Sequence, residues 1–155
     1  MPVPPLNEYG LLPPGVHGCT LDEIKHVFAP QEANPRRAEL WSKLLSFLDW
    51  ISSFGMFKRV YVDGGFVTDK ENPKDIDIVL EMPPPSAEVL QRADQRVFDQ
   101  VYVYQEFKLH VFFWWPGLPT PPHDLRLFFQ YLKPEEIARR GLNPSQKKGI
   151  LSVEL

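Results

Sequence analysis

The feature that most constrains this chain is a glycine pair and a polar loop between two apolar runs, at residues 60–81: VYVDGGFVTDKENPKDIDIVLE. Both runs are rich in β-branched residues, which predicts two strands. Gly64 and Gly65 end the first strand, and Asp75 and Asp77 alternate with apolar residues in the second. Because successive side chains of a strand point to opposite faces, both carboxylates are expected on one face, with Cα atoms roughly 7 Å apart.

Two neighbouring carboxylates repel each other and raise each other's pKa unless a cation lies between them. Mg²⁺ is the usual cation, because it prefers oxygen ligands and completes its shell with water and substrate phosphates. Glycine lets a backbone come close to phosphate oxygens. The alternatives are a solvated sheet face for the acids and an ordinary tight turn for the glycines. The combination of both motifs favours a metal–phosphate site over either alternative.

Composition limits the broad class. The 155 residues suffice for one domain with its own core, and 43% hydrophobic and 24% charged residues predict a globular chain. A net charge of −3 gives no bulk signal for nucleic acid, although a local patch stays open. Cys19 has no partner for a disulfide, and the start of the chain lacks the basic and apolar regions of a signal peptide. The longest apolar run, residues 111–115, is too short to cross a membrane, so we expect a cytoplasmic protein.

Two helices have clear start signals. Thr20 and Glu23 form a capping box for a short helix that Pro30 stops. Asn34 is placed to cap a second helix, with Pro35 at its first position. The apolar residues of that helix recur on one face, which predicts packing against a sheet.

The rest of the chain predicts a small mixed sheet flanked by helices, an α/β (α+β) fold. Strands are expected at residues 56–62, 75–82 and 101–115, the last with a bend near Gln105, and the tail at 147–155 is expected as an edge strand or a docked extension.

Further helices are expected from Ser86 to about Phe98 and at residues 123–132. Residues 1–19 are expected to form an extended, proline-rich arm, and residues 20–155 a single domain.

The segment GGFVTDKENPKDIDIVL resembles the signature of the polymerase-beta-like nucleotidyltransferase superfamily, a glycine pair followed about ten residues later by Asp-x-Asp. The wider chain is similar to small bacterial and phage nucleotidyltransferase-like proteins of the minimal, antitoxin type. The similar pieces are LLPPGVHGCTLDEIKHVF, NPRRAELW, FFQYL and KKGILSVEL. The resemblance implies the minimal nucleotidyltransferase fold.

The resemblance also implies roles for single residues. Gly64 and Gly65 would contact the phosphates of a nucleoside triphosphate, with Thr68 as a further source of a hydroxyl, and Asp75 and Asp77 would hold Mg²⁺ in a two-ion site. The reaction would transfer a nucleoside monophosphate to a protein or RNA acceptor. The setting would be toxin–antitoxin or phage defence, with a cognate toxin or another protein as partner.

The chain departs from the superfamily at the third acidic residue of the metal site, where His110 stands. Imidazole suits Mg²⁺ poorly but can act as a base. Three interpretations follow: the chemistry is altered, Glu106 takes the place of the missing acid, or the site is inactive. In the last case the chain would be a nucleotidyltransferase-fold module that binds a partner as an antitoxin or assembly subunit. An Asp-x-Asp glycosyltransferase is disfavoured by the short chain.

Basic and aromatic pairs complete the candidate residues. Arg36–Arg37 and Lys147–Lys148 either bind phosphate or an acidic partner, or belong to solvated surfaces. Trp114 and Trp115 are expected in the core and at its rim, in preference to a platform for stacking bases.

Overall fold

The computed structural model of this chain describes residues 2–30, 34–118 and 129–155. Five strands form one sheet in these residues: β1 (Gly15–Gly18), β2 (Arg59–Asp63), β3 (Ile76–Glu81), β4 (Leu109–Trp114) and β5 (Gly149–Glu154). Five α-helices accompany them: α1 (Leu21–Phe28), α2 (Pro35–Ser52), α3 (Ala87–Gln91), α4 (Gln100–Phe107) and α5 (Pro134–Arg140). Short 3₁₀ turns lie at Gly65–Val67 and Gln95–Phe98. The predicted α/β (α+β) class, with a small mixed sheet, is confirmed.

The sheet has the strand order β1-β5-β2-β3-β4. β2 pairs antiparallel with both β3 and β5, whereas β1 runs parallel to β5 and β4 runs parallel to β3. The C-terminal strand therefore lies inside the sheet, so its prediction as an edge strand was wrong. The predicted N-terminal arm contributes β1 as an edge strand of this same sheet.

One face of the sheet carries the main core. Alternate residues of the strands pack there against apolar residues of α1, α2 and α4. The buried members from β2, β3 and α2 include Val60, Val62, Ile76, Ile78, Leu80, Leu40, Leu44 and Phe47.

The opposite face of the sheet also buries apolar residues. It carries a smaller cluster of Tyr61, Val79, Trp114 and Ile150, against which Phe129 packs. Trp114 is buried and Trp115 is half-buried against the main core, as predicted. Because side chains alternate along each strand, the polar residues at the strand ends on this face share one side of the sheet.

Both helix-start predictions are confirmed. Thr20 accepts a hydrogen bond from the Glu23 N–H, and the Glu23 side chain returns to the Thr20 N–H, which completes a capping box. The Asn34 side chain accepts from the N–H groups of Arg36 and Arg37 at the start of α2.

Other boundaries differ from prediction. The helix that Ser86 caps ends at Gln91, and a separate 3₁₀ turn follows. Helix α5 was not predicted, although Pro134 at its start and Gly141 directly after its end are common helix signals. Most of the helix expected at residues 123–132 lies outside the described residues; Tyr131, which belonged to it, forms an isolated bridge to Lys147.

The predicted strand over residues 101–115 was wrong in its first half, which is helix α4. The Asp99 side chain caps this helix by accepting from the N–H groups of Val101 and Tyr102, and Lys108 ends it in the left-handed conformation at φ 53°. Packing against α2 supplies the reason, since Phe107 stacks edge-on with Phe47 at 5.3 Å. Tertiary contacts and a cap therefore override the strand propensity of valine and tyrosine.

None of the helices in the described part of the chain has both the length and the apolar character that a bilayer crossing requires.

The cap of α4 makes a stability prediction. Asp99→Ala should lower the free energy of unfolding by about 1 kcal/mol, because two N–H groups lose their acceptor. Urea denaturation measures the change, and Gln100→Ala, at the exposed first position of the same helix, is the matched control. Equal stability of the two variants would contradict this role of Asp99.

Candidate functional site

The strand register places three polar residues in one row across the face opposite the main core. Asp77 on β3 pairs with Asp63 on β2 and, on its other side, with His110 on β4. Asp63 was not predicted as a site residue. The sequence signal was an acid directly before the glycine pair, and its cross-strand position could be known only from the register.

Asp75, the residue before β3, lies next to this row. Its Oδ2 accepts a hydrogen bond from the Tyr104 hydroxyl at 3.3 Å and lies 3.3 Å from His110 Nε2. Potential ligand atoms of Asp75, Asp77 and His110 all lie within 4.8 Å of one another. The structure thus brings together the two aspartates and the histidine that the sequence singled out.

Glu106 lies outside the cluster of Asp75, Asp77 and His110. It is exposed on α4, two residues after Tyr104, and two helical positions are about 200° apart around the axis. Because Tyr104 is the residue that reaches Asp75, Glu106 lies on a different side of the helix. Geometry therefore favours His110 over Glu106 as the third member of the cluster.

The Asp77 carboxylate lies close against the backbone of Gly64. Gly64 has φ +86°, a backbone conformation that favours glycine, and a Cβ there would lie 3.0 Å from Asp77 Oδ2, which leaves it little room. Burial and the charge of Asp75 raise the pKa of Asp77, while His110 and Lys133 oppose that rise. A cation beside this carboxylate would stabilise its charged form.

Gly65 and Thr68 shape the loop after β2. A Cβ at Gly65 would lie 2.9 Å from the Lys70 side chain. The Thr68 hydroxyl donates to the Gly65 carbonyl at 2.7 Å and accepts from the Lys70 N–H at 3.1 Å. Thr68 is buried, so in this conformation its hydroxyl holds the loop together.

Arg37 holds the same loop in place through hydrogen bonds. Its guanidinium is buried and donates to the carbonyl oxygens of Phe66, Thr68 and Lys70, and to that of Phe28 at the end of α1. Burial lowers the pKa of Arg37, and the charge of Asp69 opposes this effect. The arginine pair at the start of α2 had been interpreted as phosphate-binding or solvated, and both interpretations were wrong for Arg37.

Arg36 and Asn34 form hydrogen bonds with the loop farther along the chain. Arg36 donates to the carbonyl oxygens of Pro73 and Lys74, and Asn34 donates to that of Glu71. The start of α2 therefore holds most of the segment that connects the glycine pair to the Asp-x-Asp strand.

A cavity of about 390 Å³ opens beside Asp77. Its polar wall contains the predicted residues Gly64, Gly65, Thr68 and Asp77, together with Asp63 and the cationic side chains of Lys70, Lys133 and Lys148. Its apolar wall includes Leu11, Phe129, Tyr131 and Leu132. The cavity therefore combines opposite charges with an apolar surface.

Lys148 and Asp63 form a buried ion pair in the wall of this cavity, and Nζ contacts Oδ1 directly. Burial lowers the pKa of Lys148 to about 7, while the carboxylate beside it favours the charged form. Neighbouring Lys147 is exposed and lies over the Tyr131 ring, with 5.0 Å from Nζ to the ring centroid. The two lysines look alike in the sequence, and only the structure shows that Lys148 is buried and paired while Lys147 is exposed.

The model of one protein family, described as a family of unknown function (DUF6932), matches residues 4–154. This chain belongs to that family. No curated protein and no solved structure matches it. The matched segment spans all five strands and every site residue named above, so the site of this DUF6932 chain is contained in the shared region.

The hydrogen bonds of Arg37 lead to a prediction about the stability of this DUF6932 chain. Arg37→Met should lower the free energy of unfolding by about 2–4 kcal/mol, because buried carbonyl oxygens lose their donor. Arg36→Met is the control, and it should lose about 1 kcal/mol, because Arg36 is half-buried. Urea denaturation compares the two; if Arg37→Met were as stable as the control, the four bonds would contribute no net stability.

The buried ion pair gives a pH-dependent prediction. Asp63→Asn should cost about 3–5 kcal/mol near pH 6, because it leaves the Lys148 charge buried without a partner. In the folded variant Lys148 loses its proton at a lowered pKa, whereas in the unfolded chain it keeps the proton to about pH 10.4. Above pH 7 the unfolded state binds more protons than either folded protein, so wild type and variant gain stability alike there. Loss of the carboxylate lowers the pKa of Lys148 further below about 7, so the cost of Asp63→Asn should shrink as the pH rises toward 7 and stay constant above it.

The controls for this experiment use the same measurement of unfolding. Asp63→Asn/Lys148→Met should recover most of the loss, since it removes the stranded charge. Asp69→Asn disrupts a more exposed pair with Arg140 and should cost at most about 1 kcal/mol. A loss that is independent of pH, or a double variant as unstable as Asp63→Asn, would refute the buried-charge explanation.

Proposed function

We propose that this chain is a nucleotidyltransferase that depends on a divalent cation and transfers a nucleoside monophosphate from a nucleoside triphosphate to a protein or RNA acceptor. One observation carries the proposal. Asp75, Asp77 and His110 form one cluster, and its member Asp77 lines a cavity that Gly64 and Gly65 also line. The resemblance of the GG…DxD segment to polymerase-beta-like enzymes supports the same reaction.

The residues present fit a divalent cation. Asp75 and Asp77 offer carboxylate oxygens, and burial of Asp77 beside a second carboxylate leaves charge that a cation would compensate. Asp75 and Asp77 would hold Mg²⁺ or a related ion, which when bound neutralises phosphate charge and activates the attacking hydroxyl. Tyr104 would orient Asp75 through its hydrogen bond.

The chain's other residues would position the triphosphate. Gly64 and Gly65 allow the phosphates to approach the backbone, and Lys70 and Lys133 place positive charge on the cavity wall. The acceptor oxygen would form a bond to the α-phosphorus as the bond to the pyrophosphate oxygen breaks, and pyrophosphate would leave. His110 offers one imidazole lone pair, which can take the hydroxyl proton or bind a cation, and these two uses exclude each other.

A second candidate is an inactive module of the same fold that binds a partner protein, such as a cognate toxin. The observation that favours it is the contact between His110 and Asp75, which gives each of the two side chains a partner within the protein. In this case the cluster would be a structural hydrogen-bonded pair, and the cavity would receive a partner's side chains. A toxin–antitoxin or phage-defence setting accommodates both candidates.

Calorimetry with ATP, CTP, GTP or UTP, in the presence of Mg²⁺ or Mn²⁺, tests the proposal. At least one triphosphate should bind, and Asp77→Asn should weaken that binding at least about tenfold, because the carboxylate loses the charge that holds the cation. Glu81→Gln is the matched control: it removes a carboxylate from the other end of β3 and should leave binding unchanged.

Transfer itself is measured with α-³²P-labelled triphosphate and pools of RNA or protein. Label that appears in an acceptor with the wild type and the control, but not with Asp77→Asn, supports the enzyme. Failure of all four triphosphates to bind, with either ion, would refute the enzyme proposal and favour the partner-binding module.

A further inference from the structure

We infer that the cluster of Asp75, Asp77 and His110 selects a first-row transition-metal ion, and that it binds Mn²⁺ more tightly than Mg²⁺ because His110 is a ligand. The inference rests on the cation-binding part of the proposed function and is independent of nucleotide transfer. It gives His110 the role of metal ligand in place of proton acceptor.

The spacing of the side chains fits direct ligation by the imidazole. Ligand atoms at right angles on an octahedral ion are about 3 Å apart when each metal–ligand bond is about 2.1 Å long. His110 Nε2 and Asp75 Oδ2 are 3.3 Å apart, and the whole set of ligand atoms lies within 4.8 Å. Small side-chain rotations would bring all three ligands to one ion.

The chemistry of the donor set argues against Mg²⁺ as the preferred ion. Mg²⁺ dehydrates reluctantly and takes oxygen ligands, so an imidazole adds little to its binding. Transition-metal ions accept nitrogen as well as oxygen, and two carboxylates with one imidazole form a mixed set suited to them. A third carboxylate at position 110 would remove this preference.

The position of His110 makes ligation accessible. Its side chain is 51% exposed and that of Asp75 is 28% exposed, so their mutual contact contributes little stability and a cation can replace it at small cost. Tyr104 supports both ligands: its hydroxyl donates to Asp75, and its ring lies against the His110 ring with centroids 4.7 Å apart. Such outer contacts hold metal ligands in orientation.

Metal alone, without nucleotide, tests the inference. Electron paramagnetic resonance of free Mn²⁺ during titration, with Mg²⁺ as competitor, should show one Mn²⁺ bound per chain and Mg²⁺ weaker by about tenfold or more. His110→Ala should weaken Mn²⁺ binding about tenfold or more and leave Mg²⁺ binding nearly unchanged. His110→Asp should raise Mg²⁺ affinity and narrow the gap between the two ions.

His26→Ala is the matched control. His26 is exposed on α1 four residues after Asp22, and it therefore offers an imidazole and a carboxylate outside the cluster. This variant should bind Mn²⁺ as the wild type does. Circular dichroism checks that each variant is folded.

Three outcomes would overturn the inference: no Mn²⁺ bound, equal affinity for Mn²⁺ and Mg²⁺, or His110→Ala unchanged. An equal loss in His26→Ala would show adventitious binding and would overturn it as well. Selective Mn²⁺ binding without any triphosphate binding would leave the inference standing and refute only the proposed reaction.

Discussion

The site depends on a buried guanidinium that has carbonyl oxygens for partners. Arg37 binds three carbonyl oxygens of the loop after β2, and Arg36 binds two more farther along it. A loop of this length would otherwise carry backbone groups that compete for water and would lose considerable conformational entropy on ordering. By gathering these carbonyl groups, α2 fixes the distance and direction between the glycine pair and the Asp-x-Asp strand. Stability and site geometry therefore share one source, the first turn of α2.

A second constraint is the register of the central strands. β2, β3 and β4 place Asp63, Asp77 and His110 side by side, because strand pairing brings three separate segments of the chain together. Asp63 is neutralised by Lys148, whereas Asp77 faces the cavity with a raised pKa. Two carboxylates that are neighbours in the sheet thus have different environments, and only Asp77 joins the cluster with Asp75 and His110.

The sequence predicted those parts of the fold in which local chemistry and tertiary structure agree. The starts of α1 and α2 carry capping residues, and Asp75 and Asp77 alternate with isoleucines that the core buries. Prediction failed where distant contacts decide. Valine and tyrosine in α4 favour a strand, and only the cap at Asp99 and packing on α2 make the segment helical. The pairing of Lys148 with Asp63 joins positions 85 residues apart, and no local pattern encodes it.

The distribution of charge in the cavity argues for the kind of ligand it accepts. Asp77 places negative charge in the cavity lining, with Asp75 beside it in the cluster, and Lys70 and Lys133 place positive charge there. Glu136 and Arg140 of the same lining form an ion pair with each other. A bare anion would be repelled by the carboxylates, and a bare cation would be repelled by the ammonium groups. A ligand that carries both charges, with its cation against the aspartates and its anionic groups against the lysines, satisfies both kinds of side chain at once. A metal chelate of a polyphosphate has this arrangement, and the apolar wall with Phe129 and Leu132 leaves room for a less polar part of the same ligand.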